Sequence, residues 1–172
     1  RGGGEFSHLD SKQKIKATGI RFEVPGADEL APRVDAVLEA IYGAYTLGGN
    51  ASDDGAADLA EEALYLADLV AGCLPDDAEA LGLLALMLFC EARKPARLDA
   101  AGRFRPLNDQ DPARWSRAFI DRGAALLAKA ATLNDIGHFQ LEAAIQSAHC
   151  HRVHGGATPW ADIVALYETL LA

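Results

Sequence analysis

Apolar residues recur every three to four positions along most of this chain, the spacing of one face of an α-helix. A first helix is predicted from near Asp28, with Pro32 tolerated in its opening turn, where backbone amides have no intrahelical partner. Its stripe is Leu30, Val34, Val37, Leu38, Ile41, Tyr42 and Tyr45, and Gly48-Gly49-Asn50 ends it. After a polar loop over residues 50–55, a second helix is predicted from about 56 to 74, with Leu59, Ala63, Leu66, Val70 and Cys73 on one face. Pro75 stops it and Asp76 is placed to cap a third. Residues 81–90 are apolar all round, so the third helix is expected at the centre of the molecule.

Residues 93–111 break the periodicity. Asp99-Ala100-Ala101-Gly102 is turn-like and lies between Arg97-Leu98 and Arg103-Phe104, which predicts a short β-hairpin. Asp111-Pro112 reads as the N-cap and first position of a fourth helix, whose stripe is Trp115, Phe119, Gly123, Leu126, Leu127 and Ala130. A loop over 134–137 precedes a fifth helix with Leu141, Ala144, Ile145 and Ala148, closed by Gly155-Gly156. Thr158-Pro159 opens a sixth, with Trp160, Ile163, Val164, Tyr167, Leu170 and Leu171 predicted to face inward. The last two helices make an antiparallel hairpin of roughly 34 residues, the period of a tetratricopeptide unit. The expected fold is all-α: an antiparallel helical-hairpin bundle, tetratricopeptide-like at its C-terminal end, with a short β-hairpin insertion. The apolar stripe runs up to Ala172, so the domain is expected to be truncated at its C-terminus.

Composition sharpens this picture at the N-terminus. Residues 1–10, opening Arg1-Gly2-Gly3-Gly4, read as a non-native or disordered tail. Residues 11–19 look like the end of a basic helix, with Lys12 and Lys16 one turn apart. Residues 20–25 alternate and finish at Pro25, as an extended connector does. The helical domain is therefore taken as residues 20–172.

Charge narrows the function. Sixteen basic against 25 acidic residues give a net charge of −9, the wrong sign for a chain that grips nucleic acid by neutralising phosphates. The chain is therefore not expected to bind DNA itself. Three widely spaced cysteines, Cys73, Cys90 and Cys150, offer no disulfide framework, and no apolar run is long enough for a membrane span. Together these place the protein in the cytoplasm, away from the membrane.

Catalytic motifs are absent. There is no GxSxG, phosphate loop, HExxH or CxxC, so no enzymatic activity and no cofactor are expected. His149-Cys150-His151 with His154 is the one metal candidate, because two imidazoles and a thiolate could hold a divalent ion. The same residues also suit a polar helix end, where His favours the negative end of the dipole, and no metal is assigned. Arg93, Lys94, Arg97, Arg103 and Arg105 form a basic segment suited to partner contact or to pairing with Glu91, Asp99, Asp109 and Asp111. Tyr42, Tyr45, Trp115 and Trp160 are assigned to the core, and Gln140 to the surface or a cap.

Several separated stretches carry a resemblance. Residues 74–88, LPDDAEALGLLALML, are one; residues 91–99, EARKPARLD, followed by Gly102 and then Asp109-Gln110-Asp111 with Trp115, are a second. Residues 139–149, FQLEAAIQSAH, and residues 160–167 complete the set. This pattern resembles the C-terminal extension of a group of extracytoplasmic-function RNA polymerase sigma factors, over about residues 12–172. The resemblance implies that residues 12–18 are the tail of the promoter-reading region-four helix. Core polymerase and promoter DNA would then be engaged by sigma regions upstream of this chain. The extension would modulate transcription initiation through protein contacts, among them a small regulatory protein. It marks Arg93, Arg97, Asp99, Asp109, Gln110, Asp111 and Trp115 as interaction candidates. The same residues suit a structural role, an Arg–carboxylate network pinning the hairpin to the helices. The alternative reading is a small-molecule- or metal-sensing helical domain.

Overall fold

The computed structural model describes residues 26–50 and 54–171. The expectations for the N-terminal tail, the region-four helix end, the connector and Ala172 lie outside the described residues. The chain divides into two units, residues 1–34 and 35–172, and the core and cavities described here belong to the second.

Six α-helices are described: α1 (Ala27–Asn50), α2 (Asp54–Cys73), α3 (Ala78–Arg93), α4 (Arg117–Thr132), α5 (His138–Cys150) and α6 (Trp160–Leu170). α3 is the axis. Every residue from Ala80 to Phe89 is buried, as its unbroken apolar run requires, and α2, α4 and α5 pack around it while α6 packs on α5. Each fully buried Leu or Phe here contributes about 1.5–3 kcal/mol through removal from water. The cap of α3 is Asp77, not Asp76: its carboxylate accepts from the Ala80 amide at 2.8 Å.

α3 and α5 approach closely because position 82 is glycine. A Cβ there would stand 2.7 Å from the Gln140 backbone nitrogen and 2.9 Å from its Cα. α5 has no side-chain cap of its own, since Gly137 precedes it. Glu79 of α3 supplies one across the interface, its carboxylate accepting from the amides of Phe139 (3.0 Å) and Gln140 (2.9 Å). His138 sits 3.4 Å from the same carboxylate. α1 is tied on by Tyr45, whose hydroxyl donates to Glu91 at 2.9 Å, and by Tyr42, which meets Phe139 edge-on at 5.4 Å.

Further expectations are corrected by the packing. The face that α2 buries is Ala60, Ala63, Ala67 and Ala71, whereas Leu59, Leu66 and Cys73 are exposed; small side chains let this helix lie close against α3. On α6, Ile163 is buried but Trp160, Val164, Tyr167 and Leu171 face solvent. Among the described residues the insertion forms no strand. Leu98 and Phe104 make one isolated antiparallel bridge, with Arg105 donating to the Arg97 carbonyl at 2.8 Å and Asp99 to that of Arg103 at 2.9 Å. A 3-10 turn at Lys94–Ala96 precedes this bridge, and Pro106 with a second turn at Leu107–Asp109 follows it. Neither arm is long enough for a ladder. The predicted turn itself is present, with Gly102 at φ +74°.

Candidate functional site

The irregular segment between α3 and α4 is where the sequence-derived candidates gather. It is held by arginines bonded to backbone. Arg152, within the 3-10 turn His151–His154 that follows α5, donates to the carbonyls of Leu107 (2.7 Å), Asn108 (3.2 Å) and Gln110 (3.3 Å). Its guanidinium also lies 5.6 Å from the centre of the Trp115 ring, within cation–π range. Arg114 donates to the Leu98 carbonyl at 3.3 Å, and Arg105 to that of Asp109 at 3.2 Å. These cations satisfy carbonyls that a structured strand would otherwise have paired.

The acidic candidates are used locally. Asp99 accepts from the amides of Ala101 (2.8 Å) and Arg103 (3.0 Å) and pairs with the Arg103 guanidinium at 2.8 Å. These bonds, the backbone one from Arg103 first, hold its carboxyl below the usual range. Asp111 caps a 3-10 turn, Pro112–Arg114, by accepting from Ala113 at 2.9 Å. α4 begins only after Ser116, so Trp115 lies in the connection rather than on the helix, and it is buried. Asp99 and Asp109 line a shallow surface depression with Arg103 and Arg105.

Arg93, Arg97 and Gln110 converge elsewhere, on a cavity of about 300 Å³ between the C-terminal end of α3, the insertion and α5. Gln146 and His149 of α5 complete its polar lining, and Phe104 and Leu107 flank it. Arg93 is only 7% exposed and Gln110 only 6%. One Arg93 nitrogen, Nη2, donates to Gln146 Oε1, and Gln110 Nε2 donates to the Arg105 carbonyl at 3.1 Å. The other terminal atoms, Arg93 Nη1 and Gln110 Oε1, are buried with no partner among the described residues. A buried polar group left unmatched costs about 1–3 kcal/mol. Burial first, then the charges of Arg93 and Arg152, push the His149 imidazole below its ordinary value, so it is neutral at pH 7. The Cys90 thiol, beside Arg93, is raised by burial, with the arginines opposing.

A family model matches residues 33–131. The chain belongs to DUF6596, a family of unknown function. The DUF6596 match spans α3, the insertion and α4, so it includes Arg93, Arg97 and Gln110 but stops short of Gln146 and His149. An uncharacterized protein of Rhizobium meliloti (strain 1021) is 36% identical over 163 residues, covering 93% of this chain. The chain spans 38% of that relative's length. No solved structure matches.

The metal candidates do not assemble. His149 meets Trp160 edge-on at 5.8 Å, Cys150 is buried, and the rings of His151 and His154 are 6.3 Å apart. Among the described residues, no three His, Cys, Asp or Glu side chains form a group able to hold a metal ion. No described helix is long and apolar enough to cross a membrane. Gln140, expected at the surface or as a cap, is buried. In the amide orientation that satisfies both atoms, its nitrogen donates to the Asp135 carbonyl at 3.0 Å and its oxygen accepts from Ala131 at 3.1 Å, tying α4 and the loop after it to α5.

Arg152, Gln146 and Glu79 were not singled out by sequence reasoning. Each acts on partners more than forty residues away, beyond the reach of local pattern. Arg152 carried one usable signal, a lone cation beside a helix end rich in histidine.

Proposed function

We propose that this chain is the C-terminal regulatory domain of an extracytoplasmic-function sigma factor, modulating transcription initiation in the cytoplasm through protein contact rather than catalysis. The observation that carries this reading is the pair of apolar faces left uncovered on an otherwise well-packed bundle. On α6 and its C-cap, Trp160, Val164, Tyr167 and Leu171 recur at i, i+4, i+7 and i+11 and are 47–84% exposed; on α2, Leu59, Tyr65, Leu66 and Leu69 are exposed. Contiguous apolar surface of this kind marks interaction sites. The sequence motifs that resemble sigma-factor extensions supply the transcriptional context. Core polymerase and promoter DNA are engaged by upstream sigma regions, and a small regulatory protein is the contact suited to the exposed faces. The α5–α6 hairpin serves as a tetratricopeptide-like unit presenting one of them. The acidic balance of the chain argues that it does not bind DNA on its own.

The test uses the full-length protein. Removing residues 20–172 is expected to change output from the target promoter while core-polymerase binding remains measurable. Unchanged output defeats the proposal. Independently, the isolated chain is expected to show no salt-dependent affinity for duplex DNA.

A further inference from the structure

Two arginines, Arg93 and Arg97, line one cavity in a chain of net charge −9. Among the described residues, neither Arg93 nor Arg97 has a carboxylate within ion-pair distance; Glu91, two residues before Arg93, is occupied by Tyr45 and Lys94, and Asp99, two residues after Arg97, by Arg103. Arg93 is held in place rather than free to reach solvent: it is more than nine-tenths buried and anchored through Nη2 to Gln146. Its Nη1 lacks an acceptor, and Gln110 Oε1 in the same lining lacks a donor. A cavity of about 300 Å³ is roughly ten times the volume of one water and sits at the small end of ligand sites.

We propose that this cavity binds a small organic anion bearing a carboxylate next to a hydroxyl or amino group. Arg93 and Arg97 receive the carboxylate, because a guanidinium fork matches its two oxygens. Gln110 Oε1, closed off from solvent in this structure, accepts from the adjacent hydroxyl or amino group once its side chain turns toward the ligand. Phe104 covers the apolar side of the ligand, and neutral His149 closes the α5 side without adding charge. The site joins the insertion to α5, so an occupant bridges the two and stiffens the insertion against the helices. This deepens the sensing alternative and is independent of the protein-contact proposal, since ligand binding and promoter output are read in separate assays.

The experiment is calorimetry on the 172-residue chain with L-malate, L-glutamate, inorganic phosphate and acetate. Saturable binding of malate or glutamate, at least tenfold tighter than acetate and phosphate, is expected. Arg97→Gln removes a cation that makes no side-chain hydrogen bond, so the variant is expected to keep its helical circular dichroism and lose at least tenfold in affinity. Gln110→Glu, which replaces the acceptor with a like charge, is expected to weaken binding further. A ligand carboxylate beside His149 raises that imidazole's titration midpoint in an NMR titration. Four outcomes overturn the proposal. They are no binding tighter than about 1 mM, phosphate or acetate binding as tightly as malate, binding unchanged in folded Arg97→Gln, or a His149 midpoint that ligand does not move.

Discussion

Replacing Gly82 with alanine is the sharpest test of how α3 and α5 are packed. The new Cβ would lie 2.7 Å from the Gln140 nitrogen, about 0.7 Å closer than ordinary van der Waals contact at 3.4 Å. The obstructing atoms are backbone, so no rotamer change relieves the clash, and the two helices must separate. Separation also stretches the Glu79 bonds to the Phe139 and Gln140 amides, which lie in the same contact. Overpacking of a tight core costs about 1–3 kcal/mol. Against it stands the gain of roughly 0.5–1 kcal/mol that alanine brings over glycine in a helix interior. With the weakened Glu79 bonds added to the overpacking, the net expectation is a loss of about 1–2 kcal/mol. Gly43 of α1 is the control: nothing lies within 4 Å of its Cβ position, so Gly43→Ala gains about 0.5–1 kcal/mol. Urea denaturation of both variants reads the two signs directly. If Gly82→Ala is as stable as the parent, the close α3–α5 crossing is not what position 82 requires glycine for.

Other expectations follow from single contacts. Phe89→Ala, at a site with no solvent exposure, is expected to cost about 3–5 kcal/mol in the same assay. Of the three thiols, Cys73 is exposed while Cys90 and Cys150 have their thiols raised by burial, Cys150 to about 11; a disulfide reagent is expected to titrate one thiol quickly and two only on unfolding. His149 has a folded value below its unfolded value near 6.5, so the unfolded chain binds the extra proton. Its contribution is intact above pH 6.5 and stability falls as pH drops through and below that point, an acid sensitivity that His149→Gln is expected to reduce.

The helices were legible because their apolar spacing is long and regular. The faces they bury were less so. Periodicity weighs large side chains, yet α2 packs through Ala60, Ala63, Ala67 and Ala71, whose value lies in letting backbones approach. Leu59 and Leu66 therefore drew the predicted stripe to the wrong side. Trp115 shared a helical spacing with Phe119 and Gly123, but Asp111 caps a 3-10 turn that delays the helix to Arg117. The hairpin was read from a turn that does form; what it lacks is arm length between Pro95 and Pro106. At the cavity, Arg93, Arg97 and Gln110 came from one short stretch of sequence. Gln146 and His149 join them only through the α3–α5 packing, which no local window contains.

Glu79 makes α5 a borrower. The first free amides of that helix are met by a carboxylate 60 residues upstream, so the α5–α6 hairpin does not carry its own start signal. Cutting it out, duplicating it or grafting it onto another scaffold would leave its leading turn frayed unless an acidic side chain were rebuilt at position 137 or beside it. The initiation of the hairpin is a property of the helix it leans on, and the two must be inherited together.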